Sequence, residues 1–276
     1  MGRNLWIGPP GSLYEIDRAA RTFDRSADLG ASEFTSLGGR VTVVRNVRAN
    51  RRTKLSWDTL EPAQARVLDR LARRTDGAGP VALLDPAAAN MLDGLQAAGR
   101  GEPGSPGLAQ WFLVTGGGTG TVVESASPGV FAFTASDTAG KVAWRHRYWG
   151  NFPVAPGTRI SFRAPTAIAA LPTCAVILDF KNAAGSYLSS LSANGAYTAG
   201  TVPGGAAFVT PCARPGTTGT YALAGACLSY DDGAADGIPG DGCPAMAVTG
   251  YSDAPAQPLP YRGVSIDLVE VAGAAG

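Results

Sequence analysis

The 276-residue chain is 45% hydrophobic but only 16% charged, carries a net charge of +1, and contains 37 Gly and 20 Pro. So little charge with so many turn formers excludes a helical bundle, the interrupted alternation of apolar residues excludes disorder, and near-neutrality argues against specific nucleic-acid binding. No apolar run reaches the length a bilayer needs, so no membrane segment is expected, and the length suits two domains better than one.

Met1 to Trp6 lacks the charged-then-apolar pattern of a signal peptide, and Gly2 lacks the downstream Ser or Thr that myristoylation needs. Synthesis in a cytoplasm without export is expected. Leu5-Trp6-Ile7 is a short strand stopped by Gly8-Pro9-Pro10-Gly11, and Val41–Val44 and Leu55-Ser56-Trp57 read as further strands. A helix over about 60–75 follows. Thr59 is its expected cap, Pro62 suits its first turn, Leu60, Ala63, Val67, Leu68 and Leu71 form its apolar stripe, Arg73 and Arg74 suit its last turn, and Gly77 lies beyond its end. Pro80–Leu84 is a buried strand ending at Asp85-Pro86. Strands covered by one helix predict a β-sandwich with an α-helix for residues 1–100.

Arg100 to Gly107 alternates Gly and Pro, sustains neither helix nor ladder, and is expected to be a linker over 101–107. Residues 108–276 predict an all-β domain. Its strand candidates are Trp111–Val114, Val130–Thr134, Lys141–Tyr148, Arg159–Arg163, Ala175–Phe180, Ala206–Thr210, Tyr221–Tyr230 and Gly263–Val271. Turn signals at Pro156-Gly157, Asn182 with Gly185, Pro203-Gly204-Gly205 and Pro215-Gly216 separate them, which fits a jelly-roll or galectin-like β-sandwich. Charge divides unevenly: residues 1–101 hold 15 Lys/Arg against 11 Asp/Glu, a balance of +4, and the remainder carries −3. All four cysteines, Cys174, Cys212, Cys227 and Cys243, lie after the linker in no zinc spacing, and both disulfides and buried free thiols stay open.

His146 is the single histidine, so a Ser-His-Asp or Cys-His site would have to use it. It lies between arginines with no carboxylate nearby in sequence, and no catalytic residue is assigned. The same stretch is the candidate glycan platform: Trp144, Arg145, His146, Arg147, Tyr148 and Trp149. A period of two puts Trp144, His146 and Tyr148 on one face and Arg145, Arg147 and Trp149 on the other. Aromatics beside arginines can stack on sugars and bond hydroxyls; the plainer reading, a core face and a solvated face, is preferred. The Asp231–Asp241 loop is rich in Asp and Gly but fails the EF-hand pattern, so a solvated loop is preferred to a calcium site. Val44–Lys54 is densely basic without interleaved aromatics, which favours salt bridges between subunits or a solvated ribbon over nucleic acid. Gly116–Gly120 lacks the Lys and helix of a phosphate loop and is a turn. No metal and no cofactor is expected.

Two resemblances follow from particular residues. Pro153–Arg163, Val176–Gly185 and the closing Tyr261–Val271 resemble carbohydrate-binding-module jelly rolls, with a V-x-P-G before one strand and a polar Gly turn after the next. Leu5-Trp6-Ile7-Gly8, Leu55-Ser56-Trp57, Gly79–Pro86 and Asn90-Met91-Leu92 resemble the first domain of phage distal-tail (Dit-like) and actinobacteriophage minor tail proteins. The second resemblance implies a virion protein at the tail tip that packs into a ring with copies of itself, sixfold by the family, between tail-tube and tip or hub proteins. Its outer domain is then expected to bind host-surface glycans. A stand-alone carbohydrate-binding module is the alternative.

Overall fold

The computed structural model describes residues 4–44, 50–101, 110–114 and 117–271. The middle of the basic stretch (45–49), most of the expected linker (102–107) and Gly116 lie outside the described residues. The chain opens with β1 (Leu5–Gly8), β2 (Tyr14–Ile16), β3 (Thr22–Asp28), β4 (Ser32–Thr35), β5 (Val41–Val44) and β6 (Asn50–Leu60). Helix α1 (Pro62–Ala72), β7 (Val81–Leu84) and the short α2 (Gly94–Ala97) follow. Next come β8 (Trp111–Leu113), β9 (Gly120–Glu124), β10 (Phe131–Ala135), β11 (Val142–Trp144), β12 (Phe152–Pro153) and β13 (Arg159–Arg163). Then come α3 (Thr166–Ala169), β14 (Ala175–Lys181), β15 (Tyr187–Asn194), β16 (Tyr197–Thr201), β17 (Phe208–Arg214), β18 (Gly219–Ala222) and β19 (Cys227–Ser229). The hairpin β20 (Ala245–Pro255) and β21 (Arg262–Glu270) ends the described chain. The fold is mainly β, as the turn-rich composition predicts, and its described strand pairs are antiparallel.

The first sheet runs β2-β1-β7-β20-β21-β6-β3. Alternate residues Leu55 and Trp57 of β6 and Val264, Ile266 and Leu268 of β21 are buried in one core with Ala65, Leu68 and Leu71 of α1. Fully burying one such leucine stabilises the fold by about 1.5–3 kcal/mol. The helix starts later than expected. Leu60 is still paired with Arg262 in the ladder, so Glu61, not Thr59, is the N-cap, and Ala63 faces solvent. Pro62 occupies the first turn, where its missing N–H costs nothing.

The expected division at 101–107 requires correction. The closing strand segment is not the last strand of the second domain: β21 pairs with β6, and β20 pairs with β7, so both complete the first sheet. Residues before the expected linker also cross over. Leu84, Ala88, Met91, Leu92 and Ala97 belong to the core of the second unit, and Gly101 donates its N–H to the Gly129 carbonyl. One core is thus built from residues 5–83 and 246–268, and the other from 84–243, inserted between β7 and β20. Turn residues mark where the chain bends, but they carry no information on which distant strand fills a gap in a sheet.

The inserted unit is a β-sandwich. One sheet runs β15-β14-β17-β11-β8, with β12 beside β17; facing it are β16-β13-β19 and β18-β10-β9. Aromatic pairs join the two layers: Trp144 of β11 meets Phe162 of β13 edge-on at 5.2 Å, and Trp111 of β8 meets Phe131 of β10 at 5.6 Å. β14 shows the period-two burial of a strand with one face inward, Val176, Leu178 and Phe180 being buried.

One element leaves the cores altogether. β3 pairs with β6 from Thr22↔Ser56 to Asp28↔Asn50, and beyond that ribbon β4 and β5 pair with each other alone among the described residues. Every residue from 24 to 44 is exposed. The turn is fixed by the Arg40 N–H donating to Ser36 Oγ and by Gly39 at φ +77°, a conformation glycine adopts without strain.

Candidate functional site

The expected glycan platform is not one surface. The strand ends at Trp144, which is fully buried, and the chain then turns, with His146 bridging to Gly150. The cause is the imidazole. His146 Nδ1 accepts the N–H groups of Tyr148 and Trp149 at 3.1 and 3.2 Å, which folds the backbone under the ring. Nε2 therefore carries the proton and donates to the Cys243 carbonyl at 2.7 Å. Both nitrogens are thereby occupied, and burial lowers the His146 pKa to about 4, against a smaller opposing effect of the Cys243 hydrogen bond. The ring lies neutral at the wall of a cavity of about 130 Å³ that Asp93, Arg147 and Glu270 also line. It is a clasp between the sandwich and the start of β20, with no lone pair left for a substrate proton. What remains of the platform is Arg145, Arg147 and Tyr148, all exposed, and the half-buried Trp149, whose ring meets Tyr148 edge-on at 5.5 Å.

The acidic loop is irregular and mostly exposed, and its carboxylates are engaged within the chain. Asp231 accepts from Ser229 Oγ and the Gly233 N–H, Asp232 is paired with Arg159 at 2.6 Å, Asp236 accepts from Thr166 Oγ1, and Asp241 accepts the Ala89 and Asn90 N–H groups. Among the described residues, no three His, Cys, Asp or Glu side chains gather as a metal would need. Of the basic stretch, Arg52 forms an ion pair with Asp28 within the same ribbon. The four cysteines are free and buried, and burial raises the pKa of each.

Two features not expected as sites stand out instead. The first is a cleft of about 750 Å³ at the seam between the two units. Trp6 and Glu15 reach it from the first sheet, Asp85 from the end of β7, Arg159 from β13, and Asp231 and Asp232 from the acidic loop. The Trp6 ring is half-buried, Arg25 holds Asp85 at 2.5 Å, and Glu15 accepts from the Asn4 amide at 2.7 Å. Because its walls come from residues far apart in the chain, no spacing pattern could have disclosed it. The second is the hairpin. Phe34 is 62% exposed, Val41, Val43 and Val44 are each more than half exposed, and Leu37 projects fully from the tip. A two-stranded ribbon with apolar side chains in water and free edges is unstable alone and a template for pairing.

Among the described residues no helix is long and apolar enough to cross a membrane. No family model and no curated protein matches the chain. Among solved structures, an arabinose-bound GH51 α-L-arabinofuranosidase is similar at 16% identity and a TM-score of 0.32, over 56% of this chain. The chain spans only 28% of that enzyme's length. A structure of carbohydrate-binding modules from the β-sandwich superfamily is similar at 15% identity and a TM-score of 0.28, over 86% of this chain and 98% of the other. Superpositions this loose carry no argument about the present chain.

Proposed function

We propose that this chain is a non-enzymatic structural protein of a bacteriophage tail tip, a distal-tail or minor tail protein that assembles with copies of itself and is carried in the virion. The observation that carries the reading is the 32–44 hairpin, whose apolar side chains face water in the single chain. Contiguous exposed apolar surface of this kind marks a protein–protein contact. The resemblance of the Leu5–Gly8, Leu55–Trp57 and Gly79–Pro86 segments to phage tail proteins supplies the setting, and the clasped His146 removes the one imidazole a hydrolytic triad would use. Sedimentation velocity tests it. The full chain is expected to form a defined oligomer, and a chain in which 32–44 is replaced by a short Gly-Ser turn is expected to be a folded monomer. A full chain that stays monomeric at every concentration ends the reading.

A second reading, glycan binding, is favoured by the exposed Tyr148 beside Arg145 and Arg147. It predicts glycan-array signals from the full chain that Tyr148→Ala and Trp149→Ala abolish, and it needs no oligomer. Silence across the array would remove it.

A further inference from the structure

We infer that the seam cleft is the receptor for the hairpin tip, residues 36–40, of a neighbouring copy, so that copies join head to tail. This rests on the assembly reading above. Within its own chain the tip stays exposed, so it is not seated in its own cleft, and the occupant is supplied by a second copy.

The two surfaces match in chemistry. The tip offers one apolar anchor, Leu37, and one cation, Arg40, across the slender pair Gly38-Gly39. Arg40 has no carboxylate partner among the described residues. The cleft offers an apolar wall of Trp6, Leu84 and Pro86 and the carboxylates of Glu15, Asp85, Asp231 and Asp232, against the guanidinium of Arg159 on its wall and that of Arg25 held on Asp85. Asp85 and Asp232 are already paired with Arg25 and Arg159, whereas among the described residues Glu15 meets the neutral Asn4 amide and no cation. The cleft is open to solvent on one side, and its volume of about 750 Å³ lies within the range of clefts that take up a ligand. Charge complementarity therefore assigns Arg40 to Glu15, and Leu37 to the wall around Trp6. A tip in a cleft is a contact between two different patches, which repeats around a closed ring when the rotation between copies allows.

The test is a charge swap in the full chain, read by sedimentation velocity. Both positions are exposed, so the variants should keep the circular dichroism and melting temperature of the parent. Arg40→Glu and Glu15→Arg should each weaken self-association by about tenfold or more, and the double swap should recover most of it, because each copy then pairs inverted charges with the next. Single variants that assemble like the parent would overturn the cleft as receptor while leaving assembly intact, and so would a double swap that recovers nothing. A parent chain that never assembles would remove the assembly reading and this inference with it.

Discussion

Replacing Asn90 by Ala should unfold this protein more readily than any surface substitution, because one buried amide holds four backbone groups. Asn90 is fully buried, and its Nδ2 donates to the carbonyls of Ala226 and Ile238 at 3.0 Å each. Its Oδ1 accepts the N–H groups of Leu92 and Leu228 at 3.1 Å each. Alanine removes all four bonds and leaves their partners facing a small void. A neutral hydrogen bond contributes about 1 kcal/mol net, while a buried group left without a partner costs about 1–3 kcal/mol. With some of the carbonyls reaching water, the expected loss is about 3–5 kcal/mol, a large part of the roughly 5–15 kcal/mol a domain commands. Urea unfolding followed by tryptophan fluorescence measures it as a fall in midpoint at constant slope. Asn182→Ala is the control: its Oδ1 caps only the Ala184 and Ser186 N–H groups in an exposed turn, and its loss should stay within about 1 kcal/mol. If Asn90→Ala loses no more than the control, the view of this residue as the tie between β19 and the strand-to-helix segment before α2 is wrong.

His146 is held neutral with a pKa of about 4 against an ordinary 6.5, so the unfolded chain binds a proton that the folded chain refuses. Its contribution is complete above pH 6.5 and is lost as the pH falls towards 4, a swing of about 3 kcal/mol that His146→Gln should flatten in urea titrations across that window. Burial pushes the Cys243 thiol up to about 12 and Cys227 to about 11, so an aromatic disulfide reagent should leave these thiols untouched in the native protein and titrate all four cysteines in urea. The fragment 108–276 should aggregate, since it carries β20 and β21 without β6 and β7 and lacks the Leu84–Ala97 part of its own core; a well-dispersed, cooperatively melting fragment would contradict the insertion.

What the chain discloses locally, it discloses well. Leu68 and Leu71 of α1, the bounds of the Arg159–Arg163 strand and the alternation through β14 are written in adjacent residues, although the helix starts after Leu60 and buries Ala65 in place of Ala63. The stretch after Trp144 misleads for a physical reason: aromatic alternation continues through His146 and Tyr148, but a side chain that accepts two backbone N–H groups turns the strand into a loop. β15 escapes notice because Tyr187–Asn194 is serine-rich and mostly exposed. The insertion is invisible from composition, since Val264, Ile266 and Leu268 look the same whether they face β6 or a jelly-roll neighbour. The cleft is a product of that insertion, and so it too lay beyond reach.

Electron micrographs of the purified full chain at high concentration test the central claim most directly. Closed rings around an opening, absent from the same chain with its 32–44 hairpin trimmed, are the predicted result. Fields of single, unassociated particles for both chains would contradict it.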